Sequence, residues 1–325
     1  MTVAVEPALD SLDYPTLISL HGDLIFSGET DLSDAFNDVE EGIYNRVSDH
    51  LDDAGKLTEL IPSPPQHLMA LLNKLDHPDT SFIQIQEMVR QDLGLMSEII
   101  RISNSPLFRT RAGDITSIER AIAMLGIRGV MEIASQLLMR RVIEVKSSRF
   151  KHFSRSLWMH CLKSAEAGTV LGDKDDAFTN YLLGLVHSIG YVVALSGYVA
   201  ISGNDRPEAI NDLKVVRHIC LEQGPWLSMK VAEEWGLPDL VLQTLDEFDR
   251  FFGALILDAE FDISLNTTRT LYLSSTCAQI HSLVTNDRLD RDRGYAFLNG
   301  IGLDMDARRM SALFERFKTL DAQES

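Results

Sequence analysis

Cysteine is scarce in this chain and badly placed for cross-linking. Cys161, Cys220 and Cys277 stand far apart, an odd number with no CxxC pair, which excludes a disulfide framework and a zinc knuckle and leaves buried thiols in a reducing cytoplasm as the simplest reading. Long apolar runs are also missing. None approaches the roughly eighteen residues of a membrane span, and the opening MTVAVEPALDSLDYP has neither the basic start nor the apolar core of a signal peptide, so no membrane partner and a cytoplasmic location are expected. Positive charge is in short supply, with 30 Lys and Arg against 48 Asp and Glu and a net charge of −18. That balance disfavours a nucleic-acid partner, because neutralising phosphates needs a basic face. GxxxxGK[ST], GxGxxG after a strand, GxSxG and HExxH are all absent, which removes the common nucleotide, hydrolase and metalloprotease signatures. Aromatics interleaved with basic residues, fixed-period repeats and low-complexity tracts are absent as well.

What is present is 325 residues, 45 % of them hydrophobic, enough for one large core or two smaller ones. Charge is uneven along the chain. Residues 1–60 hold 14 acids against Arg46 and Lys56, whereas Arg128 to Arg155 gathers seven basic residues against Glu132 and Glu144. This basic stretch reads either as a solvated face or as a surface that meets the acidic segment or an acidic partner.

Periodicity is poor in the first fifty or so residues, where YPTLISL and DLIFSG read as strands or as segments packing onto the rest. From Leu57 onward helical spacing dominates. Leu68, Met69, Leu71, Leu72 and Leu75 form one stripe after the IPSPP turn, and Phe82, Ile85 and Val89 form another. TSIERAIAMLG reads as a helix opening with a Thr116–Glu119 capping box and stopping at Gly126. GVMEIASQLLMRRVIEV and SLWMHCLKSAEAGTVLG follow. TNYLLGLVHSIGYVVALSG, apolar on all sides, reads as one buried central helix. DLKVVRHICLEQ and WLSMKVAEEWG read as two segments, and Pro238 suits the first turn of LPDLVLQTLDEFDRFF. TRTLYLSSTCAQIHSLV and DARRMSALFERFKTL are two closing amphipathic segments. The expected fold class is all-α.

Histidine carries the remaining chemistry. A hydrolytic metal site in a helical bundle needs several His and Asp side chains converging from different helices, with one position open for water. His160 in WMHC and His187 in LVHS lie on separate predicted helices and suit such a meeting. Two imidazoles without a carboxylate are too few, however, and Ser188, beside His187, offers a neutral hydroxyl that neither offsets an ion's charge nor bridges two ions. The expectation is a pair of core histidines hydrogen-bonded to backbone or to each other. His218 reads the same way, and His67 and His77 read as surface or capping residues. Asn104-Ser105 before Pro106 reads as turn chemistry rather than a nucleophile. Trp226 and Trp235 read as core or interface anchors rather than a ligand cage.

The order of segments from about Leu57 to Phe252, some three-fifths of the chain, resembles the HDOD family, relatives of the His-Asp metal-dependent phosphohydrolases. IPSPP, QDLGLMSEIIRISNSPLF and ITSIERAIAMLGIRGV match its first half, and LWMHC, LLGLVHSIG and WGLP match its second. The resemblance implies a multi-helix HDOD or HD-like bundle and a signalling or regulatory role. It also marks departures. Ser188 stands where the His-Asp pair has its aspartate, Gly224 and Trp226 where the family often has a histidine and a glutamate, and Phe248 and Asp249 where it often has two histidines. His160 and His187 alone survive of that ligand set, so the fold is supported and the activity is not.

The resulting expectation is an irregular acidic N-terminal extension over 1–56, an HDOD domain over 57–252 (halves 57–150 and 151–252), and C-terminal helices over 253–325 packed on the second half. No catalytic residue, metal or cofactor is assigned. His160, His187 and Ser188 are vestigial positions, and Trp226, Asp246 and Asp249 border a candidate ligand cleft. The expected function is a non-catalytic bacterial signalling module acting through a regulatory protein partner or a second copy of itself, biased by a small ligand. The alternatives are a divergent phosphohydrolase or cyclic-nucleotide phosphodiesterase, with carboxylates such as Asp246 or Glu222, and a nucleotide receptor that does not hydrolyse.

Overall fold

A computed structural model of the chain describes residues 12–26, 36–64, 66, 69, 70, 72, 81–104, 115–144, 150–202, 212–257, 259–303, 305 and 307–323. Among them no strand occurs, and the all-α expectation holds. The chain divides into two compact units, Pro62–Val145 and, from two separate stretches, Met1–Ile61 with Lys146–Ser325. His67, His77 and Ser105 lie outside the described residues.

The smaller unit contains α4 (Phe82–Arg90), α5 (Leu93–Ser103) and α6 (Ile118–Ile143). Ser81 and Gln84 form a capping box at the start of α4, and Asp92 caps α5 by accepting the Leu95 N–H at 3.0 Å while Arg141 pairs with it at 3.2 Å. These caps satisfy N–H groups that the first helical turn leaves without partners. The box expected at Thr116 is not formed. Ser117 is the N-cap of α6, and Glu119 instead accepts from the Ser117 hydroxyl and pairs with Arg90. Gly126 ends the first segment of α6 as expected, at φ 72°, a conformation that favours glycine, and the helix resumes after it. Asn104 both donates to the Ile115 carbonyl at 2.8 Å and accepts the Ile115 N–H at 2.7 Å, so it holds Ile115 beside the end of α5.

In the larger unit, YPTLISLHGDLI forms a single helix, α1 (Tyr14–Ile25), opened by Asp13 and Pro15. The strand alternative is corrected, and this part of the acidic extension is not irregular. Tyr14, Leu17, Ile18, His21 and Ile25 recur at helical spacing and are buried. Next come α2 (Asp38–Asp52), with a full Asn37–Glu40 capping box, and α3 (Ala54–Leu60). Asp23 and Glu40 pair with Arg217 and Lys214, each at 3.3 Å. Two of the acids of the first sixty residues thus find their cations at Lys214 and Arg217 rather than in the Arg128–Arg155 stretch.

The centre of this unit is α7 (Lys151–Leu171), packed most extensively against α8 (Ala177–Val186) and α12 (Asn266–Thr285). The apolar stretch expected as one helix is two, α8 and α9 (Gly190–Ser202), separated by a tight step at His187–Ile189. Periodicity does not register that break, because the sequence is apolar on both sides of it. Conversely, the two segments around Pro225 form one helix, α10 (Asp212–Glu234), with the proline inside it. Pro238 caps α11 (Asp239–Ile256). The chain closes with α13 (Arg291–Gly300), a charged helix the periodicity does not reveal, and α14 (Ala307–Gln323).

Helix α12 is buried almost throughout despite its hydroxyl-rich sequence. Ser274 donates to the Leu271 carbonyl at 3.0 Å and Thr276 to the Tyr272 carbonyl at 2.7 Å, which satisfies these hydroxyls within the helix and lets small side chains sit at close packing. By length and hydropathy alone Ile118–Ile143 and Ala177–Ser202 reach the range of a membrane span, but the first is interrupted at Gly126 and the second is two helices parted at His187–Ile189. Most of Ala177–Ser202 is spent on packing inside the fold.

Candidate functional site

Helix α7 carries His160, and the step after α8 carries His187. The two meet with their Nε2 atoms 3.1 Å apart, and both side chains are buried. Close approach of α8 to α7 makes this meeting possible: a Cβ at Gly184 would lie 2.3 Å from the Ala165 backbone nitrogen. Close approach of α9 to α10 holds the other side of the step, where the Gly190 N–H donates to the Ser228 hydroxyl at 2.9 Å and a Cβ at Gly190 would lie 2.1 Å from the Gly224 carbonyl oxygen.

A third imidazole, missed in the sequence, joins them from α1. The His21 ring stands 4.5 Å from that of His160, centre to centre. Its signal was available in the helical spacing of Tyr14, Leu17, Ile18, His21 and Ile25, hidden by the surrounding acids. Together with Tyr14, Ser188, Tyr191, Phe248 and Gln279, the three histidines line a cavity of about 20 Å³.

Electrostatics keep the cluster neutral. Burial, then the Lys163 ammonium and His187, bring His21 down to about 3. Burial, then its two histidine neighbours and Lys163, hold His160 well below the ordinary histidine range. Burial brings His187 down to about 4, against the opposing pull of the Gly184 and Leu183 carbonyls. Neutrality fixes the protons. His187 Nδ1 lies 2.9 Å from the Gly184 carbonyl oxygen, which only accepts, so Nδ1 carries the proton and Nε2 the lone pair. His160 Nε2–H therefore donates to His187 Nε2, and the lone pair of His160 is at Nδ1.

This donor set does not fit a hydrolytic metal. The His187 lone pair is already used, and no carboxylate lines the cavity. Among the described residues, no three His, Cys, Asp or Glu side chains gather as a metal would need. The departures from the family pattern have physical occupants. The Phe248 ring stands edge-on to His187 at 6.3 Å. At Gly224 a Cβ would lie 2.5 Å from the Tyr191 ring, so the space for a ligand side chain is filled.

The three vestigial positions, His160, His187 and Ser188, all line the cavity, whereas none of the predicted cleft residues Trp226, Asp246 and Asp249 does. One turn of α11 points Phe248 inward and leaves Asp246 at the surface, paired with Arg250 at 2.9 Å. Asp249 is half-buried, its carboxyl raised by burial and then by Asp246. Trp235 is buried as expected, and His218 is half-buried with Nδ1 donating to the Lys214 carbonyl at 3.1 Å. Glu222 accepts from the Tyr44 hydroxyl.

The chain is 22 % identical over 209 residues to an uncharacterized protein of Treponema pallidum (strain Nichols), covering 61 % of this chain and 38 % of that relative's length. Among solved structures it is similar to an HDOD domain protein of unknown function from Geobacter sulfurreducens, with a TM-score of 0.53, 16 % identity and coverage of 87 % and 96 % of the two chains. It is likewise similar to a supposed metal-dependent phosphohydrolase from Shewanella amazonensis SB2B, with a TM-score of 0.56, 17 % identity and coverage of 86 % and 98 %. A supposed signal transduction protein from Marinobacter aquaeolei VT8 gives a TM-score of 0.56 at 16 % identity, covering 90 % of this chain and 67 % of that one. These identities establish likeness of fold alone. The family model for the HDOD domain matches residues 61–250, more than half of the sequence, and with the helical frame and the His160–His187 pair in place, the chain belongs to the HDOD domain family.

Proposed function

We propose that this chain is a regulatory module that works by binding a protein partner and carries out no hydrolysis. The observation that carries this reading is the His160–His187 hydrogen bond, which uses the lone pair a metal would need. Phe248 and the Tyr191 ring fill the neighbouring positions where further ligands would stand. The fold that holds a metal in the His-Asp phosphohydrolases is kept here as a scaffold, and family membership supports a signalling role.

The test is metal analysis of full-length protein purified without chelator, combined with assays on phosphomonoesters and cyclic nucleotides. The expected outcome is sub-stoichiometric metal and no turnover. Near-stoichiometric iron, manganese or zinc that is lost in His187→Ala would overturn the reading in favour of a divergent phosphohydrolase or phosphodiesterase. Calorimetry against cyclic dinucleotides addresses the receptor alternative, and no heat is expected. The partner is sought by affinity capture with the full chain.

A further inference from the structure

Two residues that line the cavity beside the histidines, His160 and Gln279, each carry a buried polar atom that no protein group satisfies, Nδ1 and Oε1. Their side chains are only 4 % and 8 % exposed. Leaving such an atom dry costs about 1–3 kcal/mol, so each calls for a partner. The proton positions derived above make His160 Nδ1 an acceptor, and an amide oxygen is also an acceptor. An occupant that serves both must therefore donate twice.

Size and charge narrow the occupant further. A cavity of about 20 Å³ has room for a water-sized molecule. No Lys or Arg lines it to receive an anion, and the field of Lys163, which opposes protonation of His21 and His160, opposes a bound cation too. The hydroxyl-bearing side chains of Tyr14, Ser188, Tyr191 and Ser275 supply further polar groups around it.

We propose that this cavity is a binding site for one small neutral hydrogen-bond donor, a single buried water, that donates to both His160 Nδ1 and Gln279 Oε1. The water completes a chain of donors and acceptors running from the Gly184 carbonyl through His187 and His160 to Gln279. It thereby joins the end of α8 to α7 and α12 through polar contacts. The proposal rests on the same His160–His187 hydrogen bond as the regulatory reading, and absence of the water contact alone would overturn it without touching that reading.

The experiment is side-chain NMR of the full-length protein labelled with nitrogen-15 at histidine, at pH 7. Two signatures are expected: a proton on Nδ1 of His187 and on Nε2 of His160, and cross-relaxation between the His160 ring and a long-lived water. In Gln279→Leu the water contact is expected to be lost and the His160 Nδ1 resonance to move towards that of a free lone pair, with the His187 tautomer unchanged. Gln279→Met, closer in shape, serves if the leucine variant does not fold. The proposal is overturned by a proton on His160 Nδ1, by an imidazolium at either position, or by the absence of a water contact in the wild-type protein. It is equally overturned if one equivalent of zinc or iron(II), added to chelator-treated protein, shifts both histidines.

Discussion

At the scale of single residues, the neutral histidines make stability depend on pH. His21 and His187 titrate near 3 and 4 in the folded protein, whereas unfolded histidine titrates near 6.5. Between those values the unfolded chain binds protons that the folded chain does not, so stability is full above about pH 6.5 and falls as pH drops towards 4. Each fully linked histidine contributes at most about 1.4 kcal/mol per pH unit in this window. Asp23 and Glu166, raised chiefly by burial, act in the opposite sense, in the range above the ordinary carboxylate value. Urea unfolding at pH 7.0, 6.3 and 5.5 is expected to show a steadily lower midpoint, and a flat midpoint would contradict neutral burial. His160 and His187 were legible in the sequence because WMHC and LVHS sit in strongly apolar helices. His21 was obscured by a charge pattern that dominates its neighbourhood, and Gln279 by ordinary helical surroundings. Neither residue belongs to a motif, and only packing brings them to the cavity.

At the scale of elements, close helix contacts and buried ion pairs hold the larger unit together. Alanine at Gly184 would place a Cβ 2.3 Å from the Ala165 nitrogen, backbone against backbone, where relief requires α7 and α8 to separate. Gly184→Ala is expected to cost about 1–3 kcal/mol or more, with thermal unfolding as the measurement. Lys214→Met leaves Glu40, 6 % exposed at its side chain, without its cation, and such a break costs about 3–5 kcal/mol. Adding Glu40→Gln, which keeps an acceptor for the Asn37 N–H, is expected to recover part of that loss. A double variant no more stable than Lys214→Met alone would mean that the pair does not set the docking of α2 on α10. Most helices were legible from apolar spacing, including the stop at Gly126. The step at His187–Ile189 was not, since an apolar run looks the same continuous or broken. The continuity of α10 through Pro225 was hidden by proline's usual role as a terminator.

At the scale of the whole molecule, the larger unit is assembled from two stretches of chain separated by the smaller unit. Buried Tyr14, Leu17 and Ile25 on α1, Phe26 at its end, and Ile43, Val47 and Leu51 on α2, make the N-terminal helices part of its core. Burying each such side chain is worth about 1.5–3 kcal/mol, while a whole domain is stable by only about 5–15 kcal/mol. Deleting residues 1–56 is therefore expected to abolish cooperative unfolding of the larger unit, read by circular dichroism. A variant that kept a full transition would show these helices to be dispensable. The ordering of the same chain in time has its own consequence. Tyr14 rests against Phe252 and Tyr272, which leave the ribosome last among these three. At about 5–20 residues per second, some 250 residues take on the order of 10–50 s to synthesise. During that interval the part of α1 that meets α11 and α12 has no partner yet, while residues 62–145 already have their full sequence. The 14 acids in the first sixty residues then act as a solubilising charge on a waiting segment, keeping nascent chains apart until the second stretch arrives to enclose it.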